Sequence, residues 1–364
     1  MSEIFYLKYR PQKFSEFIGQ EYIVKTLTNG ISMGMISHAY LFYGPKGCGK
    51  TTLARILAKA LNCQKRKEGE SEPCNQCSSC LEIMEGKSMD LLELDAASHR
   101  GIDEIRELRN TIKFAPTKSK YKVFIIDEAH QLTKEAANAL LKTLEEPPPH
   151  VIFILATTEI HKVIPTILSR CQRFDFKKLS TSDIIKKLNF IVEKEKIKIE
   201  KEAIELIAQK ADGSLRDAES LLAQVFTLIP EKEIKLEHLR KILGLAEREI
   251  VFVFLELIFQ KKAEAAIEYL NLNYEKGMNL QEFSKELIST LRDIIFLKFG
   301  GKNFLKERRQ KEELDKIEAM EKFVNDEQLK KMIFIFLDAQ NKIKYSPIPQ
   351  LPLELAIIDV CEKI

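Results

Sequence analysis

The chain has 364 residues, 45% of them apolar and 30% charged, which predicts two or three domains with a buried core and excludes a disordered polypeptide. Its 57 lysines and arginines against 54 acidic residues leave a net charge of +3, which excludes a generally basic, histone-like binder but permits a basic patch. No apolar run approaches the roughly 18–20 residues of a membrane span, Met1–Tyr6 has no signal-peptide character, and seven cysteines are too sparse for a disulfide scaffold. The expectation is a cytoplasmic protein with no membrane partner.

In chain order, Ala39–Tyr43 is a short apolar run ending at Gly44, the pattern of a buried parallel strand. Leu53, Ile56, Leu57, Ala60 and Leu61 then recur at helical spacing. Residues 91–94, 123–126, 151–156 and 173–176 are further strand candidates, with helical patterns near 102–112 and 136–144. This alternation predicts a doubly wound parallel sheet whose strand order cannot be read. Beyond Phe176 three helices follow. Thr181 is expected to cap the first, Gly213 to end the second in a left-handed conformation, and Ser214 to cap the third. From 247 onward the pattern is helical, at 247–260, 263–275, 279–299, 325–343 and 350–363. The expected domains are therefore 1–178, α/β; 179–243, a three-helix unit; and 244–364, all helical.

Gly44-Pro45-Lys46-Gly47-Cys48-Gly49-Lys50-Thr51, followed by Thr52, fits G-x-x-x-x-G-K-[ST] between an apolar strand and an amphipathic helix. Such a loop turns backbone N–H groups and a helix N-terminus toward phosphate, with Lys50 on the β and γ phosphates and the Thr51 hydroxyl on Mg²⁺. Val123–Ile126 leads into Asp127 and Glu128, which places Asp127 at Mg²⁺ and Glu128 beside the attacking water. Cys63, Cys74, Cys77 and Cys80 form C-x10-C-x2-C-x2-C, a full tetrahedral thiolate set for structural Zn²⁺. Iron–sulfur ligation is the rival, although the C-x3-C-P remainder of a ferredoxin pattern is absent.

Together these motifs resemble the AAA+ clamp-loader ATPases, in particular the bacterial ones. The resemblance rests on Tyr9-Arg10-Pro11, Ile18-Gly19-Gln20, the phosphate loop, the four cysteines, Asp127–His130, Leu144–Pro148, Ala156–Thr158, Ser169–Cys171 and Gly213–Asp217. In the C-terminal third it reaches only Pro349–Ala356. It implies an N-terminal AAA+ ATPase domain with a parallel sheet and P-loop, a helical lid and an all-α collar. Thr158, or else Thr157, resembles the sensor of the γ-phosphate. Arg170 resembles an arginine finger acting in trans on a neighbouring subunit; without the resemblance it reads as a helix-end arginine satisfying carbonyls. Arg216 resembles the second sensor, and Tyr9, Arg10, Pro11 and Ile18 the adenine-side pocket.

The implied activity is hydrolysis of ATP, with Mg²⁺, in a subunit of a replicative DNA polymerase holoenzyme that is not itself the polymerase. The implied partners are delta and delta-prime subunits, further copies of this chain in a five-membered ring, the beta sliding clamp and primer–template DNA. Arg100 and Arg106 are the DNA-phosphate candidates, although a charged helix face there also reads as simply solvated. The chain stops soon after the collar-like segment, so the resemblance carries no expectation of helicase or polymerase tethering. Two alternatives stay open: another AAA+ DNA machine such as a branch-migration helicase, and a non-catalytic member of the loader ring.

Overall fold

Five short strands assemble into one parallel sheet in a computed structural model of the chain: β1 (Ala39–Tyr43), β2 (Leu91–Asp95), β3 (Lys122–Asp127), β4 (Val151–Thr157) and β5 (Gln172–Asp175); the central three are apolar runs, whereas the edge strand β5 buries only Phe174. The structure describes residues 4–98, 101–229, 233–242, 248–302, 305 and 311–363. The strand order is β2-β3-β4-β1-β5, so β1 runs between β4 and β5 and all strand C-termini open on one edge. That edge, where the order switches around β1, is where a doubly wound sheet binds its ligands.

Alternation along each strand divides the core. Tyr40, Phe42, Val123, Ile125, Ile152 and Ile154 pack with helices α2 (Glu21–Ser32) and α3 (Lys50–Asn62), reached through α1 (Phe5–Lys8) at the N-terminus. On the opposite face Leu41, Phe124, Ile126, Phe153 and Leu155 meet the helices that follow α4 (Ser78–Met84), namely α5 (Ile102–Ile112), α6 (Lys134–Glu145) and α7 (Pro165–Leu168). On the central strands β1, β3 and β4 side chains on both faces are apolar because helices cover both.

Three helices follow: α8 (Thr181–Glu195), α9 (Lys201–Lys210) and α10 (Leu215–Leu228). Ser180 rather than Thr181 caps α8, because its side chain reaches the Asp183 N–H while Thr181 already lies inside the helix. Ser214 accepts from Asp217 N at the start of α10, and Gly213 has a left-handed φ of 84° with Lys178 close behind it. These helices belong to the first of two compact units, Met1–Ile234 and Lys235–Ile364.

Every secondary-structure element among the described residues of the second unit is a helix. Leu280–Lys298 and Asp326–Ile343 surround a core containing Phe254, Phe283 and Phe336, and Asn325 with Gln328 forms a capping box. The helices Leu236–Ile242 and Lys311–Glu321, like α2 and α4 in the first unit, had no counterpart among the expected elements.

Candidate functional site

The phosphate-loop sequence forms the turn between β1 and α3, and its geometry is set by close packing. Gly47 has a φ of 76°, and a side chain there would strike the Ser214 hydroxyl. The backbone N–H of Leu215, at the start of α10, donates to Gly47 O at 3.1 Å. The three-helix bundle is thereby fastened to the loop by main chain.

Lys50 is buried, and its ammonium donates to Gly44 O and Pro45 O, each at 2.8 Å, folding back along the loop. Thr51 Oγ1 donates to Asp127 Oδ2 at 2.7 Å. The α3 N-terminus and the β3 tip therefore present a hydroxyl and a carboxylate to one point, a donor set suited to a hard cation such as Mg²⁺. Glu128, held at a left-handed φ of 48°, accepts at Oε2 from Thr158 N at 3.2 Å and Thr158 Oγ1 at 2.9 Å. His130 Nδ1 lies 3.3 Å from the same oxygen and 3.0 Å from Thr157 Oγ1. Thr157 is fully buried and ties His130 to the end of β4, whereas Thr158 meets the acid.

A cavity of about 470 Å³ opens over this edge. Of the expected nucleotide residues, Lys46 through Thr52, Arg10, Pro11, Ile18, Asp127, Glu128 and Arg216 line it. Gly44, Pro45, Thr158 and Arg170 are not part of the lining. Tyr9 faces away: its hydroxyl donates to Glu195 Oε1 at 2.6 Å and its carbonyl accepts from Lys187. Tyr6 takes the place expected of Tyr9, with the Arg216 guanidinium 4.8 Å above its ring. Burial lowers the Arg10 pKa, reinforced by the charge of Arg55. Sequence reasoning also missed Glu219, another residue of the lining.

Arg170, just past α7, donates to Glu145 Oε1 at 2.7 Å and to Thr166 O at 2.8 Å. Within one chain it thus satisfies a helix-end carbonyl and one acid. Arg100 lies outside the described residues; Arg106 lies on α5, and its side chain is likewise outside them.

The ligating atoms of Cys63, Cys74, Cys77 and Cys80 all lie within 4.8 Å of one another. Thiolates around one tetrahedral zinc sit roughly 3.8 Å apart, given Zn–S distances of about 2.3 Å, so the cluster fits that ion with slight contraction. Burial raises the Cys74 pKa, but N–H groups of Gln76 and Cys77 directed at its sulfur, together with hydrogen bonds to Cys63 and Cys77, bring it down to about 6.

A glycine loop with Lys50 and Thr51, an acid pair at the tip of β3 and a helical bundle fastened over the loop define a P-loop protein of the AAA+ class. Three family models match in succession: "DNA polymerase III, delta subunit" over residues 19–180, "DNA polymerase III clamp loader subunit, ATPase lid domain" over 183–228, and "DNA polymerase III subunits gamma and tau domain III" over 234–363. DNA polymerase III subunit gamma of Buchnera aphidicola subsp. Schizaphis graminum is 37% identical over 359 residues, 98% of this chain and 97% of that protein. DNA polymerase III subunit tau of Bacillus subtilis is 40% identical over 358 residues; the match covers 98% of this chain but 63% of the relative's length. Among solved structures, a RuvB from Thermotoga maritima covers 72% of this chain and 85% of its own, at 19% identity and a TM-score of 0.49. The chain belongs to the DNA polymerase III gamma/tau family.

Proposed function

We propose that the chain is an ATP-hydrolysing motor subunit of a bacterial sliding-clamp loader, which opens the beta clamp and places it on primed DNA. The observation that carries this reading is the 2.7 Å bond between Thr51 Oγ1 and Asp127 Oδ2 beside the buried Lys50, under a bundle bonded to the same loop.

Lys50 exchanges its two loop carbonyls for the β and γ phosphate oxygens of ATP. Thr51 and Asp127 hold Mg²⁺, which when bound offsets charge on those phosphates. Glu128 polarises the attacking water, and Thr158 reads the γ-phosphate from the end of β4. Arg216, on the lid helix, meets the phosphates from above. Arg170 serves the nucleotide of an adjacent protomer, where its guanidinium fork neutralises developing charge. Cys63, Cys74, Cys77 and Cys80 hold a structural Zn²⁺.

The partners in this reading are delta and delta-prime subunits, further copies of the chain in a five-membered ring, the clamp and primer–template DNA. Contacts to DNA are to phosphates, through Arg100 and Arg106, since primer ends have no fixed sequence. The C-terminal unit acts as the collar, and the work is done in the cytoplasm. Membership of the gamma/tau family favours this over a branch-migration helicase.

The test is steady-state ATP turnover as clamp, primed DNA and delta-type partners are added one at a time, with clamp loading and unwinding scored on primed circular DNA. Stepwise stimulation and loading are expected, and Lys50→Ala should abolish nucleotide binding. Unwinding without loading, or unchanged binding by Lys50→Ala, contradicts the reading.

A further inference from the structure

Among the cavity side chains that have no part in that reading, one is a buried acid. Glu219, on α10 three residues beyond Arg216, is 5% exposed, and its Oε1 has no hydrogen-bond partner. Leaving a buried carboxyl oxygen unpaired is costly, so the position calls for a donor that arrives from outside the fold. The neighbouring cations do not supply it. Lys187, on α8 and also 5% exposed, donates to Tyr9 O at 2.8 Å, and Arg10 influences Glu219 through its charge alone.

Position defines what that donor is. The first residue of α10 is bonded to Gly47, so the helix starts at the phosphate end of the cavity. Glu219 shares a face with Arg216 and stands about 4.5 Å further along the axis, past the phosphates. Pro11, Ile18, Leu179 and Leu215 line the same space with apolar surface, a slot for a flat ring. A carboxyl inside an apolar slot, beyond the reach of triphosphate, is complementary to an amino group on that ring.

We propose that Glu219 is a specificity residue whose carboxyl accepts a hydrogen bond from the exocyclic amino group of adenine. The inference rests on the reading of the cavity as an ATP site. Burial pushes the Glu219 carboxyl up to about 7, against the pull of Lys187 and Arg10. Neutral and ionised forms both keep an acceptor oxygen for an amine. A 6-keto purine instead turns an oxygen toward Glu219, which only the neutral acid could bond, and a purine lacking the 6-substituent leaves it unpaired.

The experiment is calorimetric titration of the full chain with ATP, purine riboside 5′-triphosphate (which lacks only the amino group) and 2′-deoxy-ATP. Wild type should favour ATP over the purine analogue by about tenfold, the range of one hydrogen bond in a desolvated site. Glu219→Leu should reduce that preference to within about twofold, while Glu219→Gln, which retains an acceptor, should keep it. The ATP to deoxy-ATP ratio should be the same in all three proteins. An unchanged base preference in Glu219→Leu, or an altered deoxy-ATP ratio in its place, overturns the proposal and assigns Glu219 to packing or to the ribose. Wild type that binds ATP and the analogue equally overturns it without any variant and leaves the ATP site standing. Wild type that binds no triphosphate removes both.

Discussion

Thr158 grips Glu128 twice, its backbone N–H and its hydroxyl both donating to Oε2. The acid proposed to polarise water is therefore tied to the residue proposed to sense the γ-phosphate, and whatever draws Thr158 to a phosphate loosens Glu128. Glu128→Gln keeps the shape and the bond to Thr158 but loses basicity. Turnover should fall by about 10²–10⁴ with ATP affinity retained, as read from single-turnover kinetics beside equilibrium binding. A variant that still hydrolyses ATP at the wild-type rate would remove Glu128 from the chemistry.

The same loop should be intolerant of a single methyl group. At Gly47 a Cβ meets the Ser214 hydroxyl at a φ that side chains rarely adopt, and the Leu215–Gly47 bond lies beside it. Gly47→Ala is expected to cost about 1–3 kcal/mol, and to lower the Tm of the first unit by about 2–4 °C for each kcal/mol. Limited proteolysis should detect looser docking of α10. An unshifted melt together with native proteolysis would mean that the lid does not depend on this contact.

Glu219 makes stability depend on pH with a definite sign. Its carboxyl titrates near 7 in the fold, against an ordinary value of 4.5, so between those pH values the native state holds a proton that the unfolded chain has released. Stability from this group is complete below pH 4.5 and declines as pH rises through 7, by about 3 kcal/mol in all. Lys187 and Arg10 reduce the loss by attraction, and Arg216 lines the same cavity. Urea denaturation of wild type and Glu219→Gln should show the difference in unfolding free energy moving against wild type from pH 5 to pH 8. A constant difference would place Glu219 in a wetter environment than its burial indicates.

Much of this was legible in the chain itself, for identifiable reasons. The central strands β1, β3 and β4 are apolar runs ended by a polar or glycine residue, and the phosphate loop lies in the junction its motif requires. Strand order was not legible, because the central strands β1, β3 and β4 are all apolar on both faces and none carries a mark of its neighbour. Tyr6 lies within the one-turn helix α1 whereas Tyr9, three residues on, is its C-cap, and the sequence pattern there is too short to decide which of the two meets the cavity. The helix Lys311–Glu321 was missed because its charges mask a short apolar stripe of Leu314, Ile317 and Met320. Glu219 did carry a signal. It lies four residues after Leu215 and three before Leu222, on the apolar stripe of α10, where a carboxylate has no ordinary reason to be.

Metal content should track the cysteine cluster. Cys77 is the N-cap residue of α4, and Asn75, between two ligands, accepts from the buried Lys59 ammonium at 2.9 Å. Elemental analysis is expected to give about one zinc per chain, and removing it with a strong chelator should lower the Tm while sparing the helical C-terminal unit. Cys80→Ser should reproduce the loss. Iron with visible absorbance in place of zinc would assign the cluster to the other chemistry.

Arg170 allows stability and assembly to be separated. Its guanidinium is about a third exposed, and its partners in the chain are the half-exposed Glu145, a helix-end carbonyl and the Ser169 hydroxyl. Surface pairs of this kind contribute little, so Arg170→Ala should change unfolding free energy by no more than about 1 kcal/mol. If the guanidinium serves a neighbouring protomer, the same variant should bind ATP normally yet depress turnover in assembled rings by about 10³-fold or more. Titrating the variant into wild type distinguishes the two roles. A finger acting in trans makes activity fall faster than the wild-type fraction when each variant copy also carries Glu128→Gln, because its Arg170→Ala change disables a wild-type neighbour. Rings in which activity follows the wild-type fraction linearly would confine Arg170 to its own chain, as a cap on α7.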